Sequence, residues 1–396
     1  MKIAIISYYC FDSSIPLAKH LSLKGIEVDL YCLLPQGDQN GFVIHFSSNK
    51  QPNGFVDSKI AKSAMGEKLC NYLSCINTKI FIYPDRWFQK IFFQDFYYAY
   101  LLANYIKKSE YDLVHIIHTS KRFWIFFYFF MDKRKIIQTL HEVTSHEAKT
   151  PFFDKWILKL LIKYSTPIIF HSNISKSRFV EFRKSLRPKK IKEDNLTMIR
   201  FGLYETYQLY AGQSIKINND KINILNFGRI VPYKGIHLLI EAVKLLQDQY
   251  PIHLVVAGSG YSYFDFNGIN SYKFINKIIS NEEIVNLIQE CDLVVLPYIS
   301  ASQSGIPMTV YLFNKPIVAS NIDGLREVID HMETGILVDN INAESLVSSI
   351  KILLENSDLR HYISKNIGKK YSEGEFSWPS IAEKTLSFYK RQLSKT

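Results

Sequence analysis

Asn226-Phe-Gly-Arg-Ile-Val-Pro-Tyr-Lys-Gly235 is the stretch around which this chain is organised. It follows the apolar run 222–225 and precedes residues 236–246, whose apolar positions recur at helical spacing. This pattern predicts a strand, a tight loop and a helix. Gly228 allows the loop to turn closely, and Gly235 opens the helix.

Two cations, Arg229 and Lys234, lie on this loop. A helix N-terminus favours an anion, because its first amides have no partner within the helix and its dipole is positive there. Two cations at such a place suit a diphosphate. The loop therefore predicts a phosphate site.

The length of 396 residues suits two domains of about 150–200 residues each. Apolar residues make up 47% of the chain, which is enough for two cores. Residues 2–33 have a strand, helix, strand pattern, with a helix predicted at 16–24 and Ser13 or Ser14 as its N-cap. Alternating strands and helices continue in both halves. The fold class predicted is α/β, with two parallel Rossmann-like sheets and ligand sites at the carboxyl ends of the strands.

Metal ions and cofactors are not expected. The five cysteines are scattered and none has zinc-ligand spacing, which indicates reduced thiols in the cytoplasm (Cys10, Cys32, Cys70, Cys75, Cys291). The sequence contains no Asp-x-Asp pair for a metal-bridged diphosphate. The first residues lack a signal-peptide pattern, and no apolar run reaches about 18 residues, so a cytoplasmic location is predicted.

Positive charge is concentrated in the first half. Residues 1–200 contain 30 Lys and Arg against 17 Asp and Glu, whereas residues 201–396 contain 18 against 20. This asymmetry predicts an anionic partner for the first half. No nucleic-acid motif accompanies it, so nucleic acid is not expected, and an anionic membrane surface fits better.

Two apolar segments of the first half carry alternative interpretations. Residues 123–131 are either a buried crossover helix or an interfacial wedge. Residues 152–163 are amphipathic, with lysines at four-residue spacing. That face is either solvated, or it docks on anionic lipid or on a phosphate-bearing acceptor, in which case the protein is peripheral on the inner face of the cell membrane.

The motifs of residues 222–390 resemble those of the retaining glycosyltransferases of the GT-B fold, family 4, and occur in the same order. The matching segments are Gly228-Arg-x4-Lys-Gly235, Asn281–Tyr298, Lys315–Ser320, Asp323–Glu327 and Thr334–Val338, then Phe376-Ser-Trp378 before a helix at 379–390. The first half is similar in Asp112–His118, in Thr139–Glu142 and in 199–204, although Arg200 and Phe201 are unusual there.

The resemblance implies four segments. Residues 1–202 are the acceptor-binding domain, 203–221 a linker and 222–375 the nucleotide-sugar-binding domain. Residues 376–396 are the terminal helix, which crosses back to the first domain. The two Rossmann-like domains are expected to face a central cleft.

Two departures from the family pattern affect the predicted site. The glycine pair expected after the first strand is replaced by Tyr8–Ser14, which changes the acceptor loop. The two glutamates expected before Lys315-Pro316 are replaced by Ala301 and Thr309. The segment Ser302-Gln303-Ser304-Gly305 offers hydroxyls, an amide and a helix N-terminus instead, and is similar to a loop of many bacterial polysaccharide transferases.

The candidate site residues combine the loop chemistry with this resemblance. Fixed cations stabilise the charge that develops on a leaving diphosphate. The catalytic candidates are Arg229, Lys234 and His141, where His141 contacts the sugar or acceptor or is simply a hydrogen-bonded strand-end histidine. The donor-binding candidates are Gly228, Gly258, Ser302, Gln303, Ser304, Gly305, Thr309 and Glu327, the last as a sugar-hydroxyl acceptor or as a charge at its own helix N-terminus. The acceptor-side candidates are Ser13, Ser14 and His118.

The function implied is a metal-independent retaining glycosyltransferase of surface-polysaccharide biosynthesis, such as lipopolysaccharide or capsule. It would move a sugar from a UDP- or GDP-sugar to a lipid-linked or surface-glycan acceptor. Two alternatives stay open. One is a non-catalytic GT-B subunit of a polysaccharide-assembly complex, which the missing glutamates favour. The other is a nucleotide-sugar 2-epimerase, for which no acid/base set is found.

Overall fold

The structure is a computed structural model that describes residues 1–8, 10–35, 38–39, 44, 46–47, 53–83, 92–117, 122–141, 152–186, 195–212, 220–301 and 304–395. The chain divides into two compact units. The first contains residues 1–201 and 378–396, and the second contains residues 202–377. The described residues of the predicted linker belong to the second unit, where Glu205–Tyr210 forms a 3-10 helix.

The strands and helices alternate along most of the chain. The strands are β1 Lys2–Tyr8, β2 Glu27–Pro35, β3 Asp38–Gln39, β4 Phe46–Ser47, β5 Gly54–Phe55, β6 Asn77–Tyr83, β7 Leu113–Ile117, β8 Ile136–Leu140, β9 Ile168–Phe170, β10 Leu196–Met198, β11 Ile222–Phe227, β12 Ile252–Gly258, β13 Tyr272–Asn276, β14 Leu293–Leu296, β15 Ile317–Ser320 and β16 Gly335–Val338. The helices are α1 Phe11–Leu23, α2 Ser58–Tyr72, α3 Phe92–Lys108, α4 Arg122–Phe130, α5 Phe152–Lys163, α6 Asn173–Ser185, α7 Ile236–Leu246, α8 Asn281–Glu290, α9 Ile306–Tyr311, α10 Asp323–Arg326, α11 Ala343–Glu355, α12 Ser357–Ile367 and α13 Trp378–Leu393.

The first unit is built on a sheet with strand order β10-β9-β8-β7-β1-β2-β6-β5. Its pairs are parallel, except that β5 runs antiparallel to β6. Residues Ile3–Tyr8 of β1 are all buried, because helices cover both faces of a parallel sheet. The second unit has the wholly parallel order β13-β12-β11-β14-β15-β16. The prediction of two parallel Rossmann-like sheets is confirmed.

The start of α1 differs from the prediction. The helix begins at Phe11 instead of Pro16, with Cys10 as its N-cap. Ser13 and Ser14 therefore lie inside the first turn, and neither caps the helix. The Ser13 hydroxyl donates to the Cys10 carbonyl at 3.1 Å, and Ser14 is completely buried.

The terminal helix α13 packs against α1 within the first unit. The Trp378 ring stacks on His20 with 6.4 Å between centroids, and Glu383 forms an ion pair with Lys24 at 2.7 Å. The Tyr389 hydroxyl lies 2.6 Å from Nδ1 of buried His115. The contact predicted for a terminal helix is thus present.

The helix α4 is largely a crossover helix between β7 and β8. Phe123, Trp124 and Phe127 are buried, as the first of the two interpretations requires. Phe129, however, is 72% exposed. In the described part of the chain, no helix is both long and apolar enough to cross a membrane.

Candidate functional site

The loop after β11 runs across the end of β12, and three glycines make this possible. A Cβ on Gly258 would lie 1.6 Å from the Gly228 carbonyl oxygen, and one on Gly260 would lie 2.1 Å from the Ile230 carbonyl oxygen. Gly228 itself has φ of +120° and donates to the Ala257 carbonyl at 2.9 Å. Gly258 thus leaves room for the loop, and its predicted contact with the donor stays a prediction.

Lys234 is held against an aromatic ring. Its Nζ lies 3.5 Å from the centroid of the buried Tyr298 ring. Arg229 is exposed, and its Nη2 donates to the Tyr233 hydroxyl at 3.0 Å. Burial, and secondly the charge of Arg229, lowers the pKa of Lys234 to about 7. The ring face of Tyr298 opposes this shift, because its quadrupole favours the charged amine.

The backbone fixes this arrangement at Gly235. Gly235 is the N-cap of α7 in the left-handed conformation, with φ of +65°. A Cβ at this position would lie 1.9 Å from the Pro297 carbonyl oxygen, so only glycine fits. The next strand-end segment is tied to the same loop, because the Ile299 amide donates to the Tyr233 carbonyl at 2.8 Å. The predicted strand, loop and helix are therefore present.

The structure adds one detail to the predicted phosphate site. The first amide of α7 already has a partner, because Ile236 N–H donates to the Tyr263 hydroxyl at 3.1 Å. In the predicted phosphate site, the side chains of Arg229 and Lys234 are therefore more important than that amide.

The segment before α9 that is predicted to bind the donor is described from Ser304 onward, and Ser302 and Gln303 lie outside the described residues. The Ser304 hydroxyl oxygen accepts from Ile306 N–H at 3.4 Å. A Cβ on Gly305 would lie 2.4 Å from the Tyr204 hydroxyl, so that ring lies directly against the loop. Thr309 is only 5% exposed and lies within α9.

The short helix α10 borders the same loop. Its Gly324 N–H donates to the Ala301 carbonyl at 3.1 Å. Glu327 is the C-cap of α10 and is partly buried. The alternative that Glu327 stabilises its own helix N-terminus is therefore wrong, and contact with a sugar hydroxyl stays a prediction.

A histidine cluster lies in the first unit, at the carboxyl ends of β8 and β9. His141 follows β8, and its ring stacks on Phe201 at 5.3 Å and lies 5.0 Å from the His171 ring. The His171 ring in turn stacks on Phe201 at 3.9 Å. Burial lowers the pKa of His171 to about 4, and its Nδ1 lies 2.6 Å from the Ile199 carbonyl oxygen.

The sequence-based search did not identify His171, although it directly follows a strand as His141 does. It also missed His115, whose Nε2 lies 2.7 Å from Thr139 Oγ1. Burial lowers the pKa of His115 to about 3, so the ring is neutral and bridges Thr139 and Tyr389. His118 lies outside the described residues.

A cavity of about 20 Å³ lies beside this cluster, with room for about one water molecule. Its lining comes from α1, the strand ends and α13, and includes Ser13, His115, His171, Phe201 and Trp378. The acceptor-side candidate Ser13 thus lines the same cavity as His115 and His171. Within the described residues, no group of three His, Cys, Asp or Glu side chains is arranged to hold a metal ion.

Comparison with known proteins finds a family similar to most of the second unit. The family described as Glycosyl transferases group 1 matches residues 212–370. An N-acetylgalactosaminyltransferase of Campylobacter jejuni, which acts on N,N'-diacetylbacillosaminyl-diphospho-undecaprenol, is 28% identical over 60% of this chain and 63% of its own length. The alignments with this and two other relatives cover 63%, 58% and 47% of the relatives' own lengths. The chain thus spans between about half and two thirds of their length.

Solved structures show the same fold over the whole chain. A glycosyltransferase from Rickettsia africae has a TM-score of 0.69 at 20% identity and covers 100% of this chain and 99% of its own. Anabaena HepE in complex with UDP has a TM-score of 0.64 at 15% identity, with 98% and 99% covered. The fold is therefore GT-B.

Proposed function

We propose that this chain, whose residues 212–370 match the glycosyl transferases group 1 family, is a metal-independent retaining glycosyltransferase. It transfers a sugar from a nucleoside-diphosphate sugar to a lipid-linked or surface-glycan acceptor. The observation that carries the proposal is the pair Arg229 and Lys234 on the glycine-rich loop after β11, with Lys234 fixed on the Tyr298 ring.

The chemistry of these two cations fits a departing diphosphate. As the glycosidic bond breaks, negative charge develops on the phosphate oxygen, and fixed cations in a partly dehydrated site stabilise that charge most strongly. Two side-chain cations supply the charge that a metal ion supplies elsewhere. Retention of configuration is what the resemblance to family 4 implies, and it requires no enzymic nucleophile.

The nucleotide and the acceptor class are suggested by similar proteins. Anabaena HepE, which shares the fold, was solved with UDP and with UDP-glucose. The Campylobacter relative acts on a sugar linked to diphospho-undecaprenol. We therefore place a uridine diphosphate sugar as the first donor to test, and a lipid-linked diphosphate sugar as the first acceptor. His141 and His171 are the acceptor-side groups at the strand ends of the first unit.

A panel of UDP, GDP, ADP, dTDP and CMP tests this proposal by thermal unfolding. A ligand that binds only the folded state raises its stability by about 2.7 kcal/mol at a hundredfold excess over Kd. We expect one diphosphate to raise the melting temperature most, with no change on adding EDTA. The same nucleotide-sugar should then be consumed only when a lipid-linked acceptor is added. A panel without any shift would favour the non-catalytic subunit instead.

Diphosphate binding should depend on pH through Lys234. With a pKa of about 7, the amine is charged below pH 7 and loses its proton above it in the free protein. Affinity should fall by up to about tenfold per pH unit above pH 7, because binding must first restore that proton. Titration calorimetry from pH 6 to 9 measures this, with Lys234→Met as control. A wild-type slope equal to that of Lys234→Met would contradict the prediction.

A further inference from the structure

The outward side of α3 carries a row of aromatic rings. Phe93, Phe96, Tyr97 and Tyr100 are 79%, 44%, 56% and 49% exposed. Their spacing of three, four and seven residues places them on one helix face. The opposite face supplies the core residues Ala99, Leu102, Ala103 and Ile106. Single exposed aromatic residues are ordinary, but a helix that is apolar on both sides indicates a partner for the outer side.

The row continues onto α4. The Phe130 ring lies 5.0 Å from Phe96 and 5.4 Å from Tyr100, and the Phe126 ring lies 5.6 Å from Phe96. At the end of α4, Phe129 is 72% exposed. The rings of the two helices therefore form one continuous apolar strip.

Lysines border this strip and link it to α5. Lys133 Nζ lies 5.7 Å from the centroids of both Phe129 and Tyr164, and burial and the charge of Lys107 lower its pKa. The exposed face of α5 presents Trp156, at 48% exposure, beside three lysines (Lys155, Lys159, Lys163). The apolar strip thus has a cationic border.

Positive charge predominates in α3, in α4 with the residues that follow it, and in α5. The segments 92–108, 122–135 and 152–163 contain nine Lys and Arg and three Asp. One of those acids, Asp132, is already paired with Arg134 at 2.9 Å. A second copy of this chain would bring the same positive border to the contact, so self-association through this face is opposed by like charge.

We propose that this aromatic-basic face, formed by Phe93, Tyr97, Tyr100, Phe129, Lys133 and Trp156, docks on the surface of an anionic lipid bilayer. Aromatic rings partition into the headgroup boundary, while lysines reach outward to lipid phosphates and keep their aliphatic stems on apolar surface. The chemistry recognised is that of an acidic phospholipid surface. The inference does not depend on glycosyl transfer.

Co-sedimentation with vesicles tests it directly on the full chain. We expect binding to phosphatidylcholine vesicles that contain phosphatidylglycerol, weak binding to pure phosphatidylcholine, and release by salt. Lys107→Gln with Lys159→Gln and Lys163→Gln should weaken binding roughly a hundredfold, since each lysine near the surface contributes about fivefold. Phe93→Ser with Phe129→Ser and Trp156→Ser should weaken it at least about tenfold.

Matched variants control for charge and for exposed apolar area. Lys59→Gln with Lys62→Gln and Lys365→Gln removes the same charge from exposed sites outside the face. Leu245→Ser with Ile352→Ser and Tyr362→Ser removes exposed apolar side chains of the second unit. Both controls should bind as wild type does. An equal loss in face and control variants, or no binding of wild type to anionic vesicles at low salt, would overturn the proposal.

Two further measurements test how deeply the face enters the bilayer and whether it binds a second copy of the chain. In a Trp87→Phe background, three of the four tryptophans remain, and brominated phosphatidylcholine in the anionic vesicles should quench their fluorescence. Trp156→Phe in that background should remove most of the quenching, because Trp124 and Trp378 are buried. If instead wild type dimerises in light scattering without lipid and the aromatic variant does not, the face binds a second copy and the proposal fails. Neither result requires an active enzyme, so it is independent of the proposed function.

Discussion

Replacing Arg229 or Lys234 by alanine is expected to lower turnover by about 10²–10³-fold, the loss found when one preorganised donor to a developing anion is removed. The two side chains act on the same leaving group. Lys234 is fixed on the Tyr298 ring, and Arg229 is oriented by the Tyr233 hydroxyl. The measurement is the rate of nucleotide-sugar consumption under saturating donor and acceptor.

The double variant distinguishes a shared role from two separate ones. If both cations stabilise one diphosphate, the combined loss should fall short of the product of the single losses. Tyr233→Phe should lower turnover less than either alanine variant, because it removes only the hydroxyl that accepts from Arg229. Near wild-type turnover in both single alanine variants would remove the phosphate role from this loop.

Circular dichroism and melting curves of these variants should stay close to wild type. Arg229 is exposed, so its removal should change stability little. Lys234 has a pKa that burial lowers in the folded protein, and an amine with a lowered pKa destabilises the fold. Removing Lys234 therefore costs little or even raises stability between pH 7 and 10, where the unfolded chain binds a proton that the folded chain has lost. A loss of activity without a loss of stability is the signature of a catalytic cation.

The sequence predicts the second unit more fully than the first, for a physical reason. The sequence predicts a helix at Asn281–Glu290, and α8 has these same bounds, because Ser280 and Glu283 form a complete capping box and its buried side is regular. Helix α2, by contrast, buries only Ala61 and Leu69, and Gly66 interrupts it with φ of +72°. Its apolar pattern is too weak to mark a helix in sequence.

The candidate site was found only in part for a similar reason. Arg229 and Lys234 share one loop, so their proximity could be predicted from spacing alone. The contacts of Lys234 with Tyr298, and of Ile236 with Tyr263, join segments far apart in sequence. His171 and Phe201 likewise meet only through strand order. Local sequence patterns do not predict contacts between residues so far apart in the chain.

Gly258→Ala should be the most damaging single-methyl change in the second unit. The added carbon would lie 1.6 Å from the Gly228 carbonyl oxygen, which belongs to backbone and cannot rotate away. The local φ of +156° adds to the cost. Overpacking and backbone strain each cost about 1–3 kcal/mol, so we expect a loss of roughly 3 kcal/mol or more in the free energy of unfolding.

Gly25→Ala is the matched control for backbone conformation. Gly25 also has a positive φ, of +78°, but a Cβ there meets nothing within 4 Å. It should cost only about 1–2 kcal/mol from strain. The difference between the two variants, measured by urea denaturation, isolates the clash with the loop.

Gly258→Ala should also impair diphosphate binding at temperatures at which the variant remains folded. To make room for the new methyl group, the Gly228 carbonyl must move, and Arg229 follows it directly along the chain. We therefore expect Gly258→Ala to weaken diphosphate affinity at a temperature well below its melting point, whereas Gly25→Ala leaves that affinity unchanged. Equal diphosphate affinity in both variants would mean that the positions of Arg229 and Lys234 do not depend on the backbone contact between Gly258 and Gly228.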